Sequence, residues 1–101
     1  MSPSWPFADS RNAAVITVRQ VFSGAPILLV THEREEGNWQ FLPSGAFSLS
    51  DAMVVALEEV VVHDPSLLSL ANLPEGWRAE RATPAEPWVR RESPPEEEPD
   101  A

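Results

Sequence analysis

The chain has 101 residues, of which 43% are hydrophobic, and a formal net charge of −9 from 16 acids and 7 basic residues. This length and apolar content predict one domain with one modest core, and the absence of cysteine excludes a disulfide framework and a thiolate metal site. The excess of acids excludes nucleic acid and anionic membranes as expected partners, because both are bound through basic residues.

Residues 1–12 are predicted to form a flexible leader, since Pro3 and Pro6 disfavour regular structure there. Trp5 and Phe7 leave open that this segment packs back on the domain. The leader lacks the apolar run of a signal peptide, and no segment is long enough to span a bilayer. We therefore expect the protein to reside in the cytoplasm.

Three strands are predicted in the first half of the chain, at residues 13–20, 27–32 and 39–42. The first and third alternate apolar and polar residues, as a strand with one buried face does. The near-continuous apolar run of the second indicates a central strand that is covered on both faces. Because short polar turns join the three, an antiparallel meander is the simplest topology.

The second half is predicted to contain a short strand at 53–56 and a helix at 57–63, although the β-branched residues of 57–63 fit either state. Asp64 should cap a further short helix that begins at Pro65 and ends before Pro74. Two short strands are predicted at 76–82 and 88–90, and the Pro- and Glu-rich tail 92–101 is predicted to be disordered.

The expected fold is a single α+β domain at residues 13–91, with a small, mostly antiparallel sheet and one or two short helices at 57–71 on one face. We expect ten side chains to be buried or mostly buried: Ile16, Val18, Leu28, Val30, Trp39, Phe41, Val60, Leu67, Leu70 and Trp77.

No group of residues has a spacing that is typical of catalysis. His32 and His63 match no metal-ligand motif, and ordinary histidines at the ends of a strand and a helix explain them better. Ser44-Gly45 follows a strand but lacks the glycines of a nucleophile elbow. Glu58 and Glu59 are adjacent, and adjacent residues on a helix do not face each other. We therefore predict no catalytic, cofactor-binding or metal-binding residues, and no cofactor.

Large aromatic and arginine side chains are the candidates for partner contacts. The tryptophans are expected to build the core, with one or two of them as surface anchors in the alternative reading, since Trp is enriched in binding hot spots. The arginines near the C-terminal end of the fold either form a basic patch or pair with the many carboxylates. The candidate partner contacts are Trp88, Arg78, Arg81, Arg90 and Phe47.

Several motifs occur in a fixed order: Gly37-Asn38-Trp39-Gln40-Phe41-Leu42, a Ser44-Gly45 pair, Asp64-Pro65-Ser66-Leu67, Leu73-Pro74-Glu75-Gly76-Trp77 and Arg81. With these motifs the chain resembles, over residues 13–91, a family of small bacterial domains formerly of unknown function and later grouped with immunity proteins of polymorphic toxin systems. Many members carry acids just after the Ser-Gly pair, where this chain has Ala46-Phe47-Ser48. The resemblance implies a compact α+β fold, no known enzymatic activity and a binding role.

The predicted function is a non-enzymatic protein-binding module and, in its narrower form, an immunity-like protein that masks a toxin. An acidic surface steers association towards a basic partner. The alternatives are a structural or self-associating domain and a small enzyme, which would require a concave pocket with converging polar groups. The sequence does not specify the oligomeric state.

Overall fold

The structure is a computed structural model that describes residues 5–43 and 48–94. Within these ranges the chain forms strands, two α-helices (α1 and α2) and two 3₁₀ helices (η1 and η2). In chain order they are β1 (Ala14–Val18), α1 (Arg19–Phe22), β2 (Leu29–His32), β3 (Trp39–Leu42), η1 (Leu49–Asp51), β4 (Ala52–Ala56), α2 (Leu57–His63), η2 (Pro65–Leu70), β5 (Trp77–Glu80) and β6 (Val89–Glu92). None of the helices in the described part of the chain has the length and apolar character needed to cross a membrane.

The strands form one six-stranded sheet in the order β4-β1-β3-β2-β5-β6. All neighbours are antiparallel except β1 and β3, which are parallel. The predicted α+β class with a mostly antiparallel sheet is thus confirmed. The predicted meander is wrong, because β1 pairs with β3 and not with β2. The physical reason is the β1–β2 connection, which contains α1 and residues 23–28 and so carries the chain past the position that β3 fills.

The hydrophobic core lies between one face of the sheet and a layer made of α2, η2 and the N-terminal residues. The side chains of Trp39 and Phe41 on β3 are buried in it, as is Val30 on β2. Leu57 of α2 and Leu70 of η2 pack in the same cluster. Strand residues alternate between faces, so every second residue of β1, β2, β3 and β5 contributes to this core.

The N-terminal segment belongs to the core, contrary to the prediction of a flexible leader at residues 1–12. Phe7 is buried, and its ring meets the Trp39 ring edge-on with 5.4 Å between centroids. The indole N–H of Trp39 donates to Asp9 Oδ1 at 3.2 Å, and that of Trp5 donates to the Asp9 carbonyl at 2.6 Å. Residues 5–12 are therefore fixed by packing and hydrogen bonds that their prolines do not prevent. Residues 1–4 lie outside the described ranges.

Most of the predicted core is confirmed. The buried residues of the predicted set are Val18, Val30, Trp39, Phe41, Val60, Leu67 and Leu70, whereas Ile16, Leu28 and Trp77 are half-buried. Ile16 lies on the sheet face that points away from α2, since its neighbours Val15 and Thr17 point into the core.

The order of short elements from residue 52 to residue 70 is also confirmed. Strand β4 passes directly into α2, and Asp64 caps η2 with Pro65 as its first residue. Asp64 Oδ1 accepts the backbone N–H of Ser66 at 3.1 Å. At the other end of the domain, Glu92 belongs to β6 and so is not part of a disordered tail; residues 95–101 lie outside the described ranges.

Candidate functional site

One face of the sheet points away from α2 and η2, and most of its strand side chains are exposed or half-buried. We call this the open face. Its side chains follow each other in two rows that the strand register defines, and all of them except the buried Val18 are exposed or half-buried. The first row is Val54, Ile16, Gln40, Thr31, Arg78 and Arg91, and the second is Ala52, Val18, Leu42, Leu29, Glu80 and Val89.

A solvent-open groove of about 600 Å³ lies at the β6 end of the second row. Its lining is mainly apolar and also includes four charged residues, Glu80, Arg81, Glu86 and Arg91. The apolar lining residues, which we call the groove floor, are Leu28, Leu29, Leu42, Pro43, Ala82, Pro87 and Val89. A groove of this volume, with an apolar floor and a few charged groups in its lining, has the composition of a binding site.

The polar side chains of the open face bond to one another. Thr31 Oγ1 donates to Gln40 Oε1 at 3.2 Å, across the two central strands. Glu80 lies between two arginines, 3.3 Å from Arg78 Nη1 and 3.7 Å from Arg91 Nε. Pairs of this kind on a surface contribute little to stability. They do place charges of both signs beside the apolar groove, where a partner can meet them.

Arg81 does not face solvent but lies at the centre of an internal cluster. Its side chain is only 4% exposed, and its Nη2 lies 2.6 Å from Asp64 Oδ2. Nε and Nη2 also donate to the Ile27 carbonyl, at 3.1 and 2.9 Å. The Trp88 ring stacks on the guanidinium at 4.1 Å, and its Nε1–H donates to Ser66 Oγ, which also accepts from Arg81 Nη1. We call Arg81, Asp64, Ile27, Ser66 and Trp88 the Arg81 clamp. The clamp holds the β5–β6 connection against the start of η2.

The predicted partner contacts therefore do not form one patch. Arg81 and Trp88 are engaged in the clamp, so Arg81 is a structural residue rather than a surface contact. Arg78 lies on the open face, whereas Arg90 pairs in register with Ala79 and so projects from the opposite face, where it donates to the Ser69 carbonyl at 2.6 Å. Phe47 lies outside the described residues.

Sequence reasoning missed the apolar groove. The signal was present in residues 27–32, where apolar residues occupy both strand faces. The prediction of a central position for this strand is confirmed, because β2 lies between β3 and β5. The prediction that both of its faces are covered is wrong, since Leu29 is half-buried on the open face and lines the groove.

Both histidines pack against aromatic rings. The His32 ring stacks on Trp39 with 3.9 Å between centroids, and its Nδ1–H donates to the Leu73 carbonyl at 2.7 Å. The His63 ring meets Phe22 edge-on at 5.3 Å. Among residues 5–43 and 48–94, no three side chains of His, Asp or Glu come together as metal ligands would.

Asp51 is the buried carboxylate that joins η1 to the start of α1. It accepts hydrogen bonds from Gln20 Nε2 at 2.8 Å, from Arg19 Nε at 2.9 Å and from the Ser48 N–H at 3.2 Å. These bonds, that of Gln20 above all, hold the pKa of Asp51 below its ordinary value of 3.8 and outweigh the opposite effect of burial.

This lowered pKa gives Asp51 a defined pH signature. Since the folded pKa is below the unfolded one, the stability that the carboxylate contributes is complete above about pH 4 and is lost as the pH falls through the folded pKa. Asp51→Asn should therefore lower stability at neutral pH and flatten the acid limb of the stability profile. Urea unfolding between about pH 2 and pH 7 measures this. Glu35→Gln, on the exposed β2–β3 turn, is the control for the loss of one carboxylate. If the free energy of unfolding of Asp51→Asn followed the same pH profile as that of the unmodified protein, the lowered pKa of Asp51 would be contradicted.

Comparison of the chain with protein-family models, with curated proteins and with solved structures gives no match. The resemblance to immunity proteins that the motifs indicate stays a prediction.

Proposed function

We propose that this chain is a non-enzymatic protein-binding module that binds its partner with the open face of the sheet and the groove at its β6 end. The observation that carries the proposal is the set of three apolar residues that line the groove, Leu42, Leu29 and Val89, of which Val89 is 53% exposed. Exposed apolar surface that is bordered by polar groups is typical of protein interaction sites. The polar groups beside it are bonded to each other, an arrangement that suits recognition better than proton transfer.

The distribution of charge favours a basic partner. Acids outnumber arginines by 16 to 7 in the chain, and most of the arginines are paired with carboxylates. The pairs are Arg11–Glu58, Arg19–Asp51, Arg34–Glu92, Arg78–Glu80, Arg81–Asp64 and Arg91–Glu80. Within the described part of the chain, Glu35, Glu75 and Glu86 are exposed and make no ion pair. The surplus surface charge is thus negative, and a field of this sign accelerates encounter with a positively charged protein.

The narrower form of the proposal is an immunity-like protein that resides in the cytoplasm and masks a basic toxin. It rests on the resemblance that the motifs carry and on the sign of the surface charge. The same charge disfavours nucleic acid and anionic membranes as partners.

The test begins with affinity capture from the native host, with the full chain as bait and mass spectrometry to identify the retained protein. We expect a basic protein that binds the purified chain in calorimetry with a stoichiometry of one site per chain. Recovery of a basic toxin supports the narrower form. If no protein binds, or if the protein that binds is acidic, the proposal of a basic partner is wrong.

The position of the interface is tested by Val89→Glu, which places a carboxylate on the groove floor. We expect the affinity for the captured partner to fall about tenfold or more, because a charge in the centre of an apolar contact is desolvated without a pair. Val62→Glu is the matched control: it adds the same charge at an exposed valine of α2, on the other side of the domain. Equal affinities for the two variants would place the interface elsewhere than on the open face.

A further inference from the structure

The two edges of the sheet differ in how they are protected. At one edge, β6 carries the charged residues Arg90, Arg91 and Glu92, and charges on an edge strand prevent pairing with another strand. At the other edge, β4 has the sequence Ala-Met-Val-Val-Ala and no charge. Its Val54 is 72% exposed, and Leu49 just before it is 93% exposed. An uncharged, exposed edge of this kind is a template for a further strand.

The backbone of β4 presents hydrogen-bonding groups outward at one central residue. Leu57 donates its N–H to the Ala13 carbonyl at 2.8 Å and so continues the β1–β4 ladder. This bond shows which residues of β4 direct their backbone groups towards β1. Because bonding residues alternate in an antiparallel pair, Met53 and Val55 bond to β1, whereas Ala52, Val54 and Ala56 direct their backbone groups away from it.

Two of the three outward N–H groups already have partners within the chain. The N–H of Ala52 donates to the Leu49 carbonyl, and that of Ala56 donates to Glu59 Oε2 at 3.2 Å. Val54 is left with both its N–H and its C=O directed outward, at the middle of the strand. The edge is therefore self-complementary. When a second copy is related to the first by a two-fold axis beside Val54, the Val54 N–H of each copy faces the Val54 C=O of the other.

We propose that a second copy of this chain pairs with β4, antiparallel and centred on Val54, to form one continuous sheet across a two-fold axis. In this register the two Val54 residues exchange their backbone hydrogen bonds, and Ala52 of each copy lies opposite Ala56 of the other. The inference goes beyond the proposed function, because it concerns an edge of the sheet and requires no other protein.

The charges near the two ends of β4 complement each other in this arrangement. Arg19 is exposed beside Asp51 at the Ala52 end, and Glu59 is exposed at the Ala56 end. The two-fold axis brings the Ala52 end of one copy to the Ala56 end of the other, so the exposed arginine of each Arg19–Asp51 pair comes to the end of the contact where Glu59 of the other copy is exposed. A strand from an unrelated protein would not repeat this pattern, which is why a second copy is the occupant that the edge fits best.

A contact along one five-residue strand is small, so the dimer should be weak and should depend on concentration. Sedimentation equilibrium of the purified chain, over total concentrations from about 1 μM to 1 mM, should show a monomer–dimer equilibrium. Val54→Lys should raise the dissociation constant about tenfold or more, because two ammonium groups then face each other at the axis. Val62→Lys adds the same charge at a valine that is 73% exposed on α2 and should leave the constant unchanged. Matching circular dichroism spectra and urea midpoints for the two variants show that both are folded.

Single cysteines test the register, since no cysteine occurs in the sequence. Val54→Cys should form a disulfide-linked dimer on mild oxidation. Ala52→Cys and Ala56→Cys should each form no disulfide-linked dimer alone and should cross-link when they are mixed. A chain that is monomeric throughout the concentration range, or equal dissociation constants for Val54→Lys and Val62→Lys, would overturn the proposal. A dimer in which the 52/56 mixture fails to cross-link would overturn the register. All these measurements use the purified chain alone, so their failure leaves the test of partner binding on the groove unaffected.

Discussion

Replacing Trp39 with alanine is expected to lower the free energy of unfolding by about 3–5 kcal/mol. The indole is 2% exposed and is surrounded by the rings of Phe7, His32 and Phe41. Truncation removes these contacts, leaves a cavity at the centre of the sheet, and deprives Asp9 Oδ1 of the indole N–H. Urea unfolding followed by far-UV circular dichroism measures the loss.

Val62→Ala is the control for this experiment. Val62 is exposed on α2 and packs against little, so its truncation should change the free energy of unfolding by less than about 0.5 kcal/mol. A loss near zero for Trp39→Ala would mean that Trp39 is not a core residue and would make it a candidate contact for the partner.

Arg81→Met should cost about 3 kcal/mol or more, although it replaces a charged side chain with an apolar one of similar length. The substitution leaves the Asp64 carboxylate without its closest partner and removes both donors from the Ile27 carbonyl. It also removes the cation on which the Trp88 ring stacks. Arg81→Lys should recover only part of the loss, because one ammonium group does not satisfy acceptors that lie in several directions.

Two comparisons isolate this effect. Arg91→Met removes an exposed arginine from an ion pair and should cost less than about 1 kcal/mol. The double variant Asp64→Asn with Arg81→Met should be more stable than the sum of the two single losses implies, since each single change already breaks the same pair. Strict additivity of the two losses would contradict the coupling that the clamp geometry requires.

Local sequence signals predicted most of the elements and few of the long-range contacts. The step from β4 to α2 to η2 was predictable because a proline at the first helical position and an aspartate cap act over a few residues. The parallel pairing of β1 with β3 was not, because strand order depends on contacts between residues far apart in sequence. The burial of Phe7 was missed for a similar reason. The nearby Pro3 and Pro6 restrict only the local backbone, whereas the burial of Phe7 depends on the Trp39 ring, 32 residues later in the sequence.

The candidate site was less predictable than the fold. The composition indicated arginines and tryptophans as contacts, but the sheet register places Arg78 and Arg90 on opposite faces, and burial assigns Arg81 to the interior. The open face follows only from knowing which side of the sheet the helices cover. The apolar residues Leu29, Leu42 and Val89 come from three different strands, so no single segment of the sequence indicates the groove.

The position of β1 between β3 and β4 also determines the order in which the chain can fold during synthesis. The strand leaves the ribosome first, yet its two neighbours follow it by more than twenty and more than thirty residues. The β2–β3 hairpin is local and can close within microseconds. Strand β1 is complete in its sheet position only when both β3 and β4 have been made, and its pairing with them closes two long loops. A topology with so many distant contacts folds slowly for its size, and one edge of β1 stays without its partner strand until β4 has been made.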